Sequence, residues 1–477
     1  MSENGQYVVA VIGGAIAGSA AAATLADHGV RVVVFEQNPK PYGKIEDGLP
    51  RWHVEQRRQE YARIDARLKK PAILFVPLAK LGRDIDFVDL VNRWGFSAVI
   101  LANGAWRDRE IGVPGADDYA GKGLLYQNPF IYWYNHKNEK GYTGPRYDPI
   151  PDEVLVVGGG LASIDVVKVL QLETYEQALQ ARGIQTTMHE LEKKGIPAVC
   201  KTHGMQPEEL GVKGCLLIYR RREQDMPLQQ APENATPEQL ERTEGVRRKL
   251  LRLAREKFLF RFQDCRLTTG IVVENGRLVG LKVAETRVEG RKAEPIPGSE
   301  HELRTPLVIS SIGSVPEKIP GIVSKGEYYD WKDWEMPRYA GCERVFGVGN
   351  VVTGQGNIRV SLVHSQKVTE RLIAEYIGVE EAFAQTSGNA EMNTAGSTDK
   401  TSAKPNGQPD FAAFSASGEA RGVAQAEAVR ARLAYLPKLG EKQVASLEER
   451  VRALQARVGY AGDYDAWIAK VSPPDLE

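Results

Sequence analysis

The chain has 477 residues, 42% of them hydrophobic, enough for two or three domains with cores of their own. Its 62 basic and 62 acidic residues leave no net charge, which excludes nucleic acid and membrane surfaces as partners recognised by bulk charge. Cys200, Cys215, Cys265 and Cys342 form no C-x-x-C pair, so a disulfide framework, a redox dithiol and a metal site are not expected.

The N-terminus enters an apolar strand almost at once, with no basic region ahead of a long apolar stretch. No uncharged apolar run approaches the roughly 18 residues of a membrane span. A cytoplasmic protein with ordinary thiols is expected. Short β-branched runs at 8–12, 30–35, 98–101, 154–157, 215–219 and 307–311 alternate with longer helix-like segments. That alternation predicts an α/β fold with parallel sheets.

The first run, Val8 to Ile12, leads into Gly13-Gly14-Ala15-Ile16-Ala17-Gly18 and an Ala-rich helix. Strand, small-residue turn and helix in that order cradle a pyrophosphate. Gly13 allows the turn, a small Ala15 lets backbone approach the phosphates, and Gly18 lets the helix lie close to the strand. The next run ends at Glu36, placed to accept hydrogen bonds from ribose hydroxyls. The alternative is a glycine-rich turn in an unrelated α/β fold.

The device recurs at 154–163. Gly158, Gly159, Gly160, Leu161, Ala162 and Ser163 follow a strand and open a helix. The following strand ends in Arg220-Arg221-Arg222 rather than an acid. Guanidinium groups grip a 2′-phosphate where a carboxylate would repel it, so NADPH is favoured over NADH. A solvated basic turn is the alternative. Two such sites in one chain suggest a relay, with one dinucleotide held as a flavin and the other exchanging.

Thr236-Pro237-Glu238-Gln239 reads as a capping box opening a helix. Val246, Leu250, Leu253 and Ala254 form its apolar stripe, and Arg248, Arg252 and Arg255 share another face. The alternatives for that basic face are a solvated surface and a dock for an acidic partner. Residues 384–417 are poor in large apolar groups and read as a flexible linker. Beyond them, 418–477 reads as a helical extension. Val444, Leu447, Val451 and Leu454 there recur at helical spacing, to dock on the core or on a second subunit.

Several segments resemble the adrenodoxin reductase family, ferredoxin–NADP reductases of glutathione-reductase type. Residues 39–53, PKPYGKIEDGLPRWH, are similar to its P-x-P-[FY]-G-L-x-x-x-G-x-x-P-D-H segment. Residues 80–84, the strand end Ala102-Asn103-Gly104-Ala105 with Val113-Pro114-Gly115, residues 128–135 and Gly356-Asn357-Ile358 agree in order. The likeness covers about 7–375. The glutamate synthase small subunit, which shares the arginine turn and Met226-Pro227, is the neighbouring family, but its N-terminal iron–sulfur cysteines are missing here.

The resemblance implies two Rossmann-like domains. One binds FAD (1–115 with 320–378), and the NADP domain (116–319) is inserted in it. It implies hydride transfer from NADPH to FAD, then electron transfer to an acidic ferredoxin or other iron–sulfur protein docking on Arg248, Arg252 and Arg255. Lys44 stands where the family's Leu contacts FAD, and Val76 where backbone meets adenine. Gly349 and Asn350 stand in the flavin loop, and Gly356, Asn357 and Ile358 near the pyrimidine end of the flavin. His53 matches the family's active-site His, to position nicotinamide or relay a proton, or else to pack at a turn. Glu233 is the nearest candidate for its acid partner. Two other readings stay open: the flavin subunit of a larger complex, joined through the C-terminal helices, and a non-catalytic flavoprotein.

Overall fold

The computed structural model describes residues 5–232, 234–377 and 436–472. The chain begins β1 (Val8–Ile12), α1 (Ile16–Asp27), β2 (Arg31–Phe35), α2 (Val54–Leu68), β3 (Ile73–Val76) and β4 (Ala98–Leu101). It continues through β5 (Leu124–Tyr126), α3 (Gln127–His136), β6 (Leu155–Gly158), α4 (Leu161–Ala181), β7 (Leu216–Ile218), α5 (Pro237–Phe258) and β8 (Arg261–Gln263). Four strands follow, β9 (Arg266–Glu274), β10 (Arg277–Glu289), β11 (Lys292–Pro295) and β12 (His301–Arg304), then β13 (Val308–Ser311), β14 (Val345–Gly347) and α6 (Ile358–Leu372). Helices α7 (Glu441–Arg457) and α8 (Tyr464–Val471) close the described chain.

Two five-stranded sheets carry the fold. The first has the order β14-β4-β1-β2-β3 and the second β5-β13-β6-β7-β8. Every strand pair in both is parallel. This is the expected α/β class. Both faces of each sheet are covered, so the strands read as unbroken apolar runs: β1 and β4 are buried at every position. Helix α6 returns to the first sheet and lies on α1, where Ser365 Oγ donates to the Ala17 carbonyl at 2.6 Å. The second sheet is therefore formed by chain that lies between β4 and β14.

Strands β9 to β12 form an antiparallel unit beside the second sheet. Simple α/β alternation does not anticipate it. Its signal is Asn275-Gly276, with φ of 50° and 73°, in the two-residue turn that joins β9 to β10.

Helix α7 buries Leu447 and Val451, with Val444 and Leu454 partly covered, against the core of the first sheet. The described part of the extension thus spends its apolar face on its own chain. The expected linker at 384–417 and residues 418–435 lie outside the described residues. No described helix is long and apolar enough to cross a membrane.

Candidate active site

Both glycine turns open into one cleft of about 1,830 Å³. That is well above the roughly 300–1,000 Å³ of a single small-ligand pocket, so there is room for two large ligands. At the first turn Gly13 has φ +100°, and a methyl group there would lie 2.6 Å from the Ala102 carbonyl oxygen. A methyl at Gly18 would lie 1.8 Å from the Gly13 oxygen. Only glycine lets α1 seat this close to β1. No side chain caps the start of α1 or of α4, so both helix ends keep donors for a ligand.

Glu36 is buried at the end of β2. One oxygen accepts the Gly14 N–H at 2.8 Å, and the other accepts the Asn38 N–H at 2.9 Å. Burial pushes its carboxyl up to about 7 against the pull of those N–H groups. Lys44 lies deeper in the cleft. Its Nζ donates to Asn128 Oδ1 on α3 and to Ser314 Oγ just after β13, both at 3.0 Å. Burial lowers its ammonium to about 8.

Of the other residues expected here, Ala15, Gly104, Asn350, Gly356, Asn357 and Ile358 line the cleft. The Asn350 Oδ1 and Asn103 Oδ1 atoms are buried without a partner. Gly14, Gly18 and Gly349 stand behind the wall, and the Gly349 N–H donates to His364 Nδ1 at 3.0 Å. Val76 does not reach the cleft: it is fully buried in β3, and its carbonyl accepts the Glu36 N–H at 2.9 Å.

At the second turn Gly158, Gly159, Gly160, Leu161 and Ala162 line the cleft. Ser163 turns inward, its hydroxyl donating to the Gly160 carbonyl at 2.6 Å. Arg220 and Arg221 face the same space. Arg222 does not; it pairs with Asp225 at 2.9 Å and stays outside the wall. Three arginines that the sequence reading missed join the wall: Arg247 from α5, Arg266 from β9 and Arg291 from the turn between β10 and β11. Arg221 Nη2 donates to the Gly290 carbonyl at 3.3 Å, and Thr286 Oγ1 to that of Arg220 at 2.8 Å. The antiparallel unit thereby buttresses the arginine turn.

His53 lines the cleft just before α2, with Nε2 3.8 Å from Asp165 Oδ1 near the start of α4. Asp165 was not anticipated. Glu233 lies outside the described residues. On α5 the expected stripe is turned outward: the helix buries Thr243, Leu251 and Phe258, while Val246, Leu250 and Leu253 are exposed beside Arg248, Arg252 and Arg255. Arg247 takes the inner place because its guanidinium donates to the carbonyls of Gln229 and Gln224, at 2.7 and 3.1 Å. Among the described residues no group of His, Cys, Asp and Glu could hold a metal ion.

Residues 7–203 match the family model described as pyridine nucleotide-disulphide oxidoreductase. The chain is an oxidoreductase that resembles that family over those residues. Its cofactors are FAD and NADPH, and the geometry suits them: two uncapped helix starts for pyrophosphates, a glycine cradle that a methyl would fill, and unpartnered Asn oxygens in the wall. The chain is 24% identical over 387 residues to the glutamate synthase [NADPH] small chain of Escherichia coli, which covers 76% of this chain and 68% of that one. It is 28% identical over 319 residues to the NADPH-Fe(3+) oxidoreductase subunit beta of Geobacter sulfurreducens, covering 65% of this chain and only 37% of that subunit. Among solved structures, FprA of Mycobacterium tuberculosis in complex with NADPH superposes with a TM-score of 0.58 at 18% identity, covering 90% of each chain. This likeness shows the fold.

Proposed function

We propose that the chain passes hydride from NADPH to FAD and then electrons to an acidic iron–sulfur protein of ferredoxin type. The carrying observation is the single cleft that joins both glycine turns, with the arginine turn at one end and Glu36 in the wall at the other. FAD, when bound, supplies the step from a two-electron donor to one-electron acceptors. The chain's residues bind and orient. The starts of α1 and α4 receive the pyrophosphates, Glu36 accepts ribose hydroxyls, and Arg220 and Arg221 hold the 2′-phosphate. His53, beside Asp165, positions nicotinamide or moves a proton.

No cysteine lines the cleft, and Cys200 and Cys215 are buried elsewhere. A thiol pair therefore does not carry the electrons out. The exposed α5 face, with Arg248, Arg252 and Arg255, suits an acidic acceptor. Its exposed Val246, Leu250 and Leu253 favour a second reading as well, the flavin subunit of a permanent complex, because such interfaces are more apolar than transient ones.

The test is anaerobic. NADPH, with NADH in parallel, is added while flavin absorbance is followed. Fast bleaching by NADPH and slow bleaching by NADH are expected. Bound flavin that neither nucleotide bleaches would refute the reading. Copurification of a second subunit in fixed ratio would select the complex over the free reductase.

A further inference from the structure

We propose that the C-terminal helices hold the FAD loop in its binding shape, with Tyr464 and Trp467 as positioning residues for that cofactor. The inference rests on FAD occupying the first glycine turn.

The loop at 39–43 has two sides. Its inner side lies on the glycine turn. A methyl group at Gly14 would lie 2.9 Å from Pro41 Cβ, and one at Gly43 would lie 2.9 Å from Ala15 Cβ. Tyr42 and Gly43 line the cleft. The pyrophosphate-binding donors and this loop thus share one wall, and a shift of the loop moves that wall.

The outer side is held by the extension. Trp467 Nε1 donates to the Pro39 carbonyl at 2.8 Å. Tyr464 OH donates to Asp65 Oδ1 at 2.7 Å, and Tyr42 OH reaches the same carboxylate at 3.2 and 3.3 Å. Asp65 of α2 therefore ties a tyrosine of the extension to a tyrosine of the loop. The Tyr42 ring also stacks on Tyr61, with centroids 3.9 Å apart.

The extension is itself anchored away from the loop. Gln6 and Leu439 exchange both backbone hydrogen bonds at 2.9 Å, and Gln455 Nε2 donates to the Phe75 carbonyl at 2.7 Å. Arg31 pairs with Glu448, and Lys69 with Asp465. An anchored strap that bonds the back of a ligand loop orders it before the ligand arrives, so binding does not bear that ordering cost. Neither aromatic residue lines the cleft, so each acts through Pro39 or Asp65 rather than by touching FAD.

The test uses the full-length chain stripped of FAD and titrated with FAD, read by quenching of flavin fluorescence. Tyr464→Phe removes a donor and keeps the ring, and Trp467→Phe removes a donor while keeping a smaller aromatic ring in the indole's place. About threefold weaker FAD binding is expected for each, and about tenfold for the pair, the size of a lost hydrogen bond or two. Binding of 2′,5′-ADP, which samples the other turn, should not change, and Glu449→Ala on the exposed side of α7 should bind FAD as wild type does. Unchanged FAD affinity in the double variant overturns the proposal, whether or not its unfolding temperature falls. A wild-type apoprotein that takes up no FAD overturns the cofactor assignment first and the proposal with it.

Discussion

Gly160→Ala separates folding from nucleotide binding at the second turn. Gly160 sits at φ −90° and ψ 176°, extended backbone that any residue adopts, and a methyl group there meets nothing within 4 Å. Alanine should leave the fold unchanged or raise stability by about 0.4–1 kcal/mol through the unfolded chain. The open space is where backbone must approach the NADPH pyrophosphate. A methyl that pushes the phosphates back removes one charge-assisted hydrogen bond of about 1.5–3 kcal/mol. The KM for NADPH should then rise roughly ten- to 150-fold. Gly158→Ala is the contrasting change. Its methyl would lie 2.4 Å from the Ser311 carbonyl oxygen and 2.8 Å from Ser163 Cβ. That overpacking should cost about 1–3 kcal/mol of stability. Stopped-flow flavin reduction against NADPH concentration, with melting curves and FAD content, gives all three readings. A folded, FAD-replete Gly160→Ala enzyme with a wild-type KM would refute the assignment of this turn to NADPH.

Arg266→Ala and Arg291→Ala should each raise the KM for NADPH about five- to thirtyfold and leave that for NADH nearly unchanged, since a phosphate contact is worth about 1–2 kcal/mol. Equal loss with both nucleotides would show that these arginines do not meet the 2′-phosphate. Reversing charge with Arg248→Glu and Arg252→Glu together should slow reduction of an acidic acceptor about tenfold at low ionic strength, less in salt, and spare flavin reduction by NADPH. An acceptor rate insensitive to both substitutions and to salt would move the docking site elsewhere.

The two parallel sheets were legible because β1, β4 and their neighbours are buried on both faces and so read as apolar runs. Glu36 was legible because it sits one strand beyond the first glycine turn, a spacing set by the βαβ unit itself. Arg266 and Arg291 were not, because they reach the arginine turn from a strand and a turn 46 and 71 residues beyond Arg220, through a sheet that no local pattern joins to it. Asp165 meets His53 only because the start of α4 faces the start of α2 across the cleft. The α5 arginines are exposed as read, but of the apolar stripe only Ala254 packs on the core, and Val246, Leu250 and Leu253 turn outward. Periodicity finds an apolar face, but what packs on the helix decides which face is buried, and here the stem of Arg247 with Thr243, Leu251 and Phe258 won. The α7 pattern was right because its apolar positions have one sheet to cover.

Two of the shifted groups in the cleft, Glu36 and Lys44, make opposite demands on a proton. Glu36 is pushed up to about 7 and Lys44 down to about 8, both chiefly by burial. Each charged form therefore costs folding free energy. By linkage, Glu36 contributes most to the stability of the apoprotein below its ordinary range near 4.5, and loses that contribution as pH rises through 7. Lys44 contributes most above its ordinary value of 10.5, and loses that contribution as pH falls through 8. On the proposed assignment a bound dinucleotide reverses both costs, since ribose hydroxyls would donate to the carboxylate and an anionic cofactor would favour the ammonium. FAD binding should then expel a proton from Glu36 and draw one onto Lys44. At pH 7 Glu36 is half protonated and Lys44 almost fully charged, so roughly half a proton leaves. At pH 8 Glu36 is mostly ionised and Lys44 half neutral, so roughly half a proton enters. Titration calorimetry of the apoprotein with FAD, in two buffers of different ionisation enthalpy, should show net proton release turning to net uptake between those pH values. Glu36→Gln should abolish the release at pH 7, and Lys44→Met the uptake at pH 8. Binding with no buffer dependence at either pH would show that neither group faces the cofactor.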